Sequence, residues 1–184
     1  MKTSKYKVRR RPLRWGLLAA VVVAMLAIIA GIAWYEASAP GFILEPKGQK
    51  GYALTIMPLD GDSPLGYLKV EKKHLGRKAR MYQRFTGAYL VDDTYVIYAS
   101  DEYTRAYNES RGTNYTCFAL TELPMGGIRF KGYHETLYPY NSANMACYWE
   151  EYKDEDGGIY YKNAATGHEL KVWGASESMR ISKH

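Results

Sequence analysis

Two cysteines and four histidines are the side chains best suited to chemistry, and their spacing excludes most of it. Cys117 and Cys147 belong to no CxxC pair. His74, His134, His168 and His184 form no HxH or HExxH, so no zinc site is spelled out. No serine lies in a GxSxG elbow, and Met125-Gly126-Gly127 lacks the lysine of a phosphate loop. Asp60-Gly61-Asp62-Ser63 and Asp154-Glu155-Asp156 crowd oxygen ligands into turns, but neither continues into a calcium loop with its closing glutamate. His134-Glu135 is an acid–base neighbour pair by adjacency alone. His168 reads as a surface histidine. We therefore expect no enzyme, no catalytic residues, no metal and no cofactor.

The cysteines admit a structural role. Both fall in strand-like runs beyond residue 51. In an oxidising compartment they are expected to form a disulfide, Cys117 to Cys147. Closing a loop of that length is worth roughly 4 kcal/mol by chain entropy.

What positions these residues is set first by the N-terminus. Lys2, Lys5, Lys7, Arg9, Arg10, Arg11 and Arg14 precede the apolar run 15–35, WGLLAAVVVAMLAIIAGIAWY. A helix of that length spans about 30 Å, the hydrocarbon thickness of a bilayer. The charge asymmetry predicts a basic cytoplasmic tail (1–14), one transmembrane helix (15–35), a linker (36–50) and an extracytoplasmic domain (51–184). Pro40, directly after Ala37-Ser38-Ala39, argues for an uncleaved signal-anchor. The formal net charge is +6, and from residue 39 onward 18 basic and 18 acidic residues cancel. The positive balance therefore belongs to the tail. It suits anionic lipid rather than nucleic acid. Gly16, Ala20, Ala24, Ala27 and Gly31 make a small-residue stripe expected to pack against another membrane helix.

Beyond residue 51, short runs rich in Tyr, Val, Ile and Thr recur between turn residues. They cover 52–57, 65–72, 79–85, 88–99, 115–120, 127–133, 144–152, 159–162, 169–173 and 178–181. Leu68 and Val70 alternate with Lys69 and Glu71, and Ile128 and Phe130 with Arg129 and Lys131. That is the period of a strand with one charged face. Val91-Asp92-Asp93-Thr94, residues 154–158 and Ala165-Thr166-Gly167 read as hairpin turns. The expected fold is all-β: a small antiparallel barrel or sandwich of roughly eight to ten strands behind one transmembrane helix. A short helix within 74–83 is the one exception considered.

Two further features carry functional expectations. Of the 18 tyrosines, 16 lie in the outer domain, which suits a protein face or a mixed polar–apolar cavity. Lys69, Lys72, Lys73, Arg77, Lys78, Arg80 and Arg84 form a basic segment expected to bind a partner by charge complementarity. Asn108-Glu109-Ser110 and Asn114-Tyr115-Thr116 match glycosylation acceptors of a eukaryotic secretory route. The layout resembles accessory subunits of bacterial envelope complexes, an analogy of architecture alone. The leading expectation is a non-enzymatic interaction subunit of the inner membrane, with membrane lipid and a membrane protein or complex as partners. The alternative is a lipocalin-like ligand-binding or sensor domain for a small amphipathic molecule, partnering a membrane-bound regulator. A hydrolase stands a distant third.

Overall fold

The computed structural model describes residues 13–37, 40–59, 66–125, 127–172 and 179–181; the side chains of 13–15, 32–33 and 35–37 are outside that description. The chain divides into two units, Met1–Ser38 and Ala39–His184.

The first unit is described as helix α1, Leu13–Ala37. Leu17, Val22, Met25 and Ile28 along it are exposed. Among the described residues no helix is long and apolar enough to cross a membrane. Trp15 and Tyr35, expected at headgroup depth, and the basic residues 2–14 lie outside the described side chains. The expected single-pass anchor is corrected accordingly. With it go the inner-membrane location, the lipid and membrane-protein partners, and the accessory-subunit function, all of which rested on that span. The stripe residues Gly16, Ala20, Ala24, Ala27 and Gly31 are exposed, and nothing lies within 4 Å of a β-carbon built on either glycine.

The second unit is mixed α/β, which corrects the all-β barrel. Its strands are β1 (Leu44–Pro46), β2 (Tyr52–Ile56), β3 (Leu68–Lys72), β4 (Phe85–Val91), β5 (Thr94–Ala99), β6 (Cys117–Glu122), β7 (Ile128–Tyr133), β8 (Tyr148–Lys153), β9 (Ile159–Asn163) and β10 (Met179–Ile181). Helices α2 (Gly76–Tyr82) and α3 (Asp101–Arg111) and a 3-10 helix (Ser142–Cys147) complete it. Eight strands form one antiparallel sheet in the order β1-β10-β9-β8-β5-β6-β7, with β4 also on β5; β2 and β3 make a separate pair. The large sheet curls into a half-barrel. Its end strands β1 and β7 are not paired with each other among the described residues, so no barrel closes.

Helix α3 is specified locally. Ser100 caps it, its hydroxyl accepting from the Tyr103 amide at 3.2 Å. Asp101 and Glu102 occupy the first turn, Arg111 the last, and Gly112 (φ 63°) ends it in the left-handed conformation. Its buried stripe is Tyr103, with Tyr107 packed against the core. Residues 79–85, expected as a strand, are mostly α2. The start of the 144–152 run is the 3-10 helix. The hairpin at Asp92-Asp93 is as read: both residues have positive φ (47° and 55°), as a two-residue turn between twisted strands requires.

The sheet forks at β5. Strand β4 pairs along β5 from Thr94 to Ala99 and so takes one edge. The other edge is shared: Thr94, Tyr95 and Val96 pair with β8, and Tyr98 pairs with Ala119 of β6. Past Ala119, β6 must leave β5, because β8 occupies its place. The Phe130 amide of β7 bonds to Gly66 O at 2.8 Å, so that ladder position does not engage the Leu120 carbonyl. Leu120 O instead accepts from Nε1 of the fully buried Trp149, at 2.9 Å. The indole thus ties the wing β8-β9-β10-β1 to the wing β6-β7.

The inner face of the sheet holds the main core. Leu44, Phe85, Ile97, Leu120, Phe130 and Trp149 meet there, joined by Leu54 and Ile56 of β2 and Met81 of α2. Phe85 and Phe130 stack at 5.2 Å. On the opposite face Val96, Ala119, Cys147 and Tyr148 pack beneath Leu137 of the segment following β7.

Both thiols belong to this second cluster, and both are free, which corrects the expected disulfide. Each is turned to a different backbone carbonyl: Cys117 Sγ lies 3.9 Å from Glu135 O, and Cys147 Sγ donates to Asn144 O at 3.1 Å. Burial pushes both thiols up from 9.0 to about 11. Burial likewise raises the neighbouring Tyr98 phenol to about 12.

Two consequences can be measured. Trp149→Phe removes the indole donor and leaves Leu120 O buried without it, so stability should fall by about 2–4 kcal/mol in denaturant titrations. The raised thiols imply that the folded state holds protons the unfolded chain releases first. Stability from this source is complete below pH 9 and is lost as pH rises through about 11. The Cys117→Ala/Cys147→Ala variant should therefore lose less melting temperature between pH 8.5 and 10.5 than the parent; an equal loss would rule the thiols out as its source.

Candidate functional site

The fork leaves a cleft between its wings, and an ionisable pair spans it. Glu122 ends β6 on the same face as Phe118 and Leu120, and its side chain is only 4% exposed. Opposite it stands the turn after β9. Gly167 (φ 72°) donates its amide to Asn163 O at 2.8 Å, and the Asn163 amide donates to His168 O at 2.9 Å. Asn163 Oδ1 accepts the Ala165 amide at 3.0 Å while its Nδ2 reaches Ala146 O at 2.9 Å. This frame aims two side chains at Glu122. Thr166 Oγ1 donates to Oε2 at 2.6 Å, and His168 Nδ1 lies 2.6 Å from Oε1.

Both carboxylate oxygens are therefore engaged, which is what a buried carboxylate requires. The imidazole is 68% exposed. In the neutral ring, an Nδ1–H donated to Glu122 leaves Nε2 as the acceptor, on an exposed ring whose orientation is fixed from behind. Two cavities meet at the pair. One, about 200 Å³, is bounded by Leu123, Pro124, Ala146 and Thr166. The other, about 540 Å³, is bounded by Ile128, Glu169 and Lys171. A histidine held by a buried carboxylate can accept or deliver a proton or anchor a polar ligand group. The described cavity walls contain no serine or cysteine, and the Thr166 hydroxyl is committed to Glu122.

The residues singled out from the sequence lie elsewhere. Of the basic segment, Lys72, Arg77 and Lys78 are exposed and Arg84 is buried. Lys69 pairs with Glu71 at 2.7 Å, Lys73 with Glu45 at 2.5 Å and Arg77 with Glu102 at 2.6 Å. The segment spreads over β3 and α2 instead of converging. Asp154 of the acidic turn accepts from Arg180 at 3.1 Å and from the Gly158 amide at 2.6 Å, with Lys47 at 3.5 Å; these contacts hold its carboxyl below its usual range. Asn108 is an internal staple: Nδ2 donates to Tyr115 O at 2.8 Å, and Oδ1 accepts the Tyr115 amide at 3.0 Å. The Asp60–Ser63 turn lies outside the described residues. No group of three metal-ligating side chains occurs among the described residues.

Glu122 and His168 were missed because 46 positions separate them. One signal was present: Glu122 continues the inward alternation of Phe118 and Leu120, and a carboxylate on a buried strand face needs a partner.

No family model matches the chain, and no curated protein matches it. Among solved structures, the cytolethal distending toxin of Haemophilus ducreyi is similar at 11% identity and a TM-score of 0.46, over 77% of this chain and 71% of that one. A likeness of that strength transfers neither fold nor function.

The pair makes a spectroscopic prediction. Long-range nitrogen–proton correlation of neutral His168 should show the Nδ1–H tautomer, and Glu122→Gln should abolish that preference and cost about 1–3 kcal/mol of stability. An Nε2–H tautomer in the parent protein would mean that the Glu122 contact does not orient the ring.

Proposed function

We propose that the half-barrel is a ligand-binding domain that takes a small amphipathic molecule in the cleft between the wings. The observation that carries this reading is the exposed His168 ring, fixed by the buried Glu122 carboxylate at the junction of two cavities. The ligand's polar end hydrogen-bonds to His168 Nε2. Its apolar end lies against Leu123, Pro124 and Ala146. A cleft with an apolar wall and one oriented polar group is the usual form of a small-molecule site. Binding is the reading taken because the described walls offer no serine or cysteine beside the histidine and the Thr166 hydroxyl is committed to Glu122.

The test uses octanoate and 1-octanol as probes, followed by calorimetry and by amide chemical shifts. Either should bind the parent protein and perturb residues 122–124 and 164–168. His168→Ala should weaken the better probe about tenfold or more, the worth of one hydrogen bond to a charged or oriented partner. Leu123→Asn should weaken both. Binding of neither probe, or equal binding by the His168→Ala protein, would overturn the proposal.

A further inference from the structure

On the other face of the sheet, the segment between β7 and β8 bounds an open cavity of about 620 Å³. Its backbone is held from beneath. Leu137 is buried at 1% exposure. The Tyr148 hydroxyl accepts the Asn141 amide at 2.9 Å and donates to Leu137 O at 3.4 Å. Asn141 Oδ1 accepts the Ala143 amide at 3.0 Å, and Thr136 Oγ1 donates to Tyr138 O at 3.1 Å. The Tyr140 ring lies 4.9 Å from that of Tyr148. The frame is thus built before any ligand arrives.

What remains at the wall has a definite chemistry. Glu135, Tyr138, Ser142 and Asn144 line the cavity, and none of their side chains hydrogen-bonds to another described residue. Together they offer a carboxylate acceptor, two hydroxyls and an amide that donates and accepts. Tyr138 and Tyr140 are 62% and 42% exposed and supply flat apolar surface beside these groups. No lysine, arginine or histidine lines the cavity among the described residues. An anion would meet Glu135 without a compensating cation, which disfavours phosphates and carboxylates. A neutral molecule carrying many hydroxyls on a ring with apolar C–H faces fits every feature: its hydroxyls pair with Glu135, Ser142 and Asn144, and its C–H face lies on a tyrosine. We infer that this cavity is a second binding site, for a neutral saccharide of one or two rings, separate from the Glu122–His168 cleft.

The test titrates the full chain with maltose and with N,N′-diacetylchitobiose, using inorganic phosphate as the anionic control and amide chemical shifts as the readout. At least one disaccharide should bind with millimolar affinity and shift amides within 135–144, while phosphate leaves them unmoved. Glu135→Gln and Asn144→Ala should each weaken that binding about tenfold, the loss of one hydrogen bond to a charged or well-placed group. His168→Ala should leave it unchanged, which separates this site from the proposed amphipathic one. Circular dichroism confirms that the variants fold, and the shift map on the parent protein stands whether or not they do. No shift with either disaccharide up to about 20 mM, shifts confined to other residues, or equal binding by both folded variants would overturn the inference.

Discussion

A strand has two edges, and β5 has three partners. Most of the architecture follows from that conflict. Because β4 takes one edge from end to end, β8 and β6 divide the other, and neither can continue where the other begins. A regular sheet would leave a seam of unpaired carbonyls at such a place, a costly arrangement in a core. Trp149 resolves it with one side chain. Its indole is fully buried in the inner core and its N–H satisfies Leu120 O across the seam. Phenylalanine would fill most of the space and satisfy nothing. The fork is therefore best served by an aromatic donor at this position, and the curl of the half-barrel follows from the divergence of its two wings.

The same divergence explains why a carboxylate sits where the inward pattern of β6 calls for an apolar side chain. Near β5 the wings touch, and Leu120 packs against Trp149. Two residues farther on the inward position is still buried, and it borders the two cavities. A leucine at 122 would leave the Thr166 hydroxyl and the His168 ring nitrogen without their acceptor. Glu122 instead reaches the turn of the opposite wing, where Thr166 and His168 meet its two oxygens. The position of the site is thus a consequence of the topology, and its polarity a consequence of the distance between wings. The Thr166 and His168 contacts also close the far end of the cleft, so the residues that organise the site help to hold the wings at a fixed separation.

Local features of this fold were legible in the sequence, and non-local ones were not. The Asp92-Asp93 and Asp154–Gly158 turns, the strand ending at Tyr133, most of the strand before it (read as 115–120 and found as Cys117–Glu122), and the turn ahead of His168 follow from periodicity and turn chemistry within a few residues. Helix α3 also carried its own signals in Ser100, Asp101, Glu102 and Gly112. It was overlooked because its buried residues, Tyr103 and Thr104, include no aliphatic side chain, so no apolar 3.6-residue period stands out. Strand β1 lay hidden in a Pro- and Gly-rich stretch, since only pairing with β10 makes it a strand. The free thiols show the same limit from another side. Both cysteines do reach one cluster, as a disulfide would need, but their orientation is decided by the Glu135 and Asn144 carbonyls of a covering segment that no spacing rule describes.

Tyrosine abundance has its explanation in the two packed faces of the sheet. A sheet buried on one side has a clean apolar face, and aliphatic residues suffice. Here the second face is covered by an irregular segment whose backbone groups need partners that a regular ladder cannot supply. Tyrosine is suited to that boundary, because its ring packs while its hydroxyl reaches the covering backbone. Tyr148 does this directly, buried in the cluster with its hydroxyl between the Asn141 amide and Leu137 O. Tyr133 of β7 instead pairs its hydroxyl with Thr121 of the neighbouring strand β6, at 3.0 Å. On the inner face the rings act as packing: Tyr103, Tyr107 and Tyr115 surround Phe118, with centroids 4.5 to 5.4 Å away, and so dock α3 onto β6. The residue type that suggested an interface in the sequence is used largely inside the fold. The exposed Tyr138 stands apart from that use, because it rises from the covering segment beside polar groups that the fold itself leaves without partners.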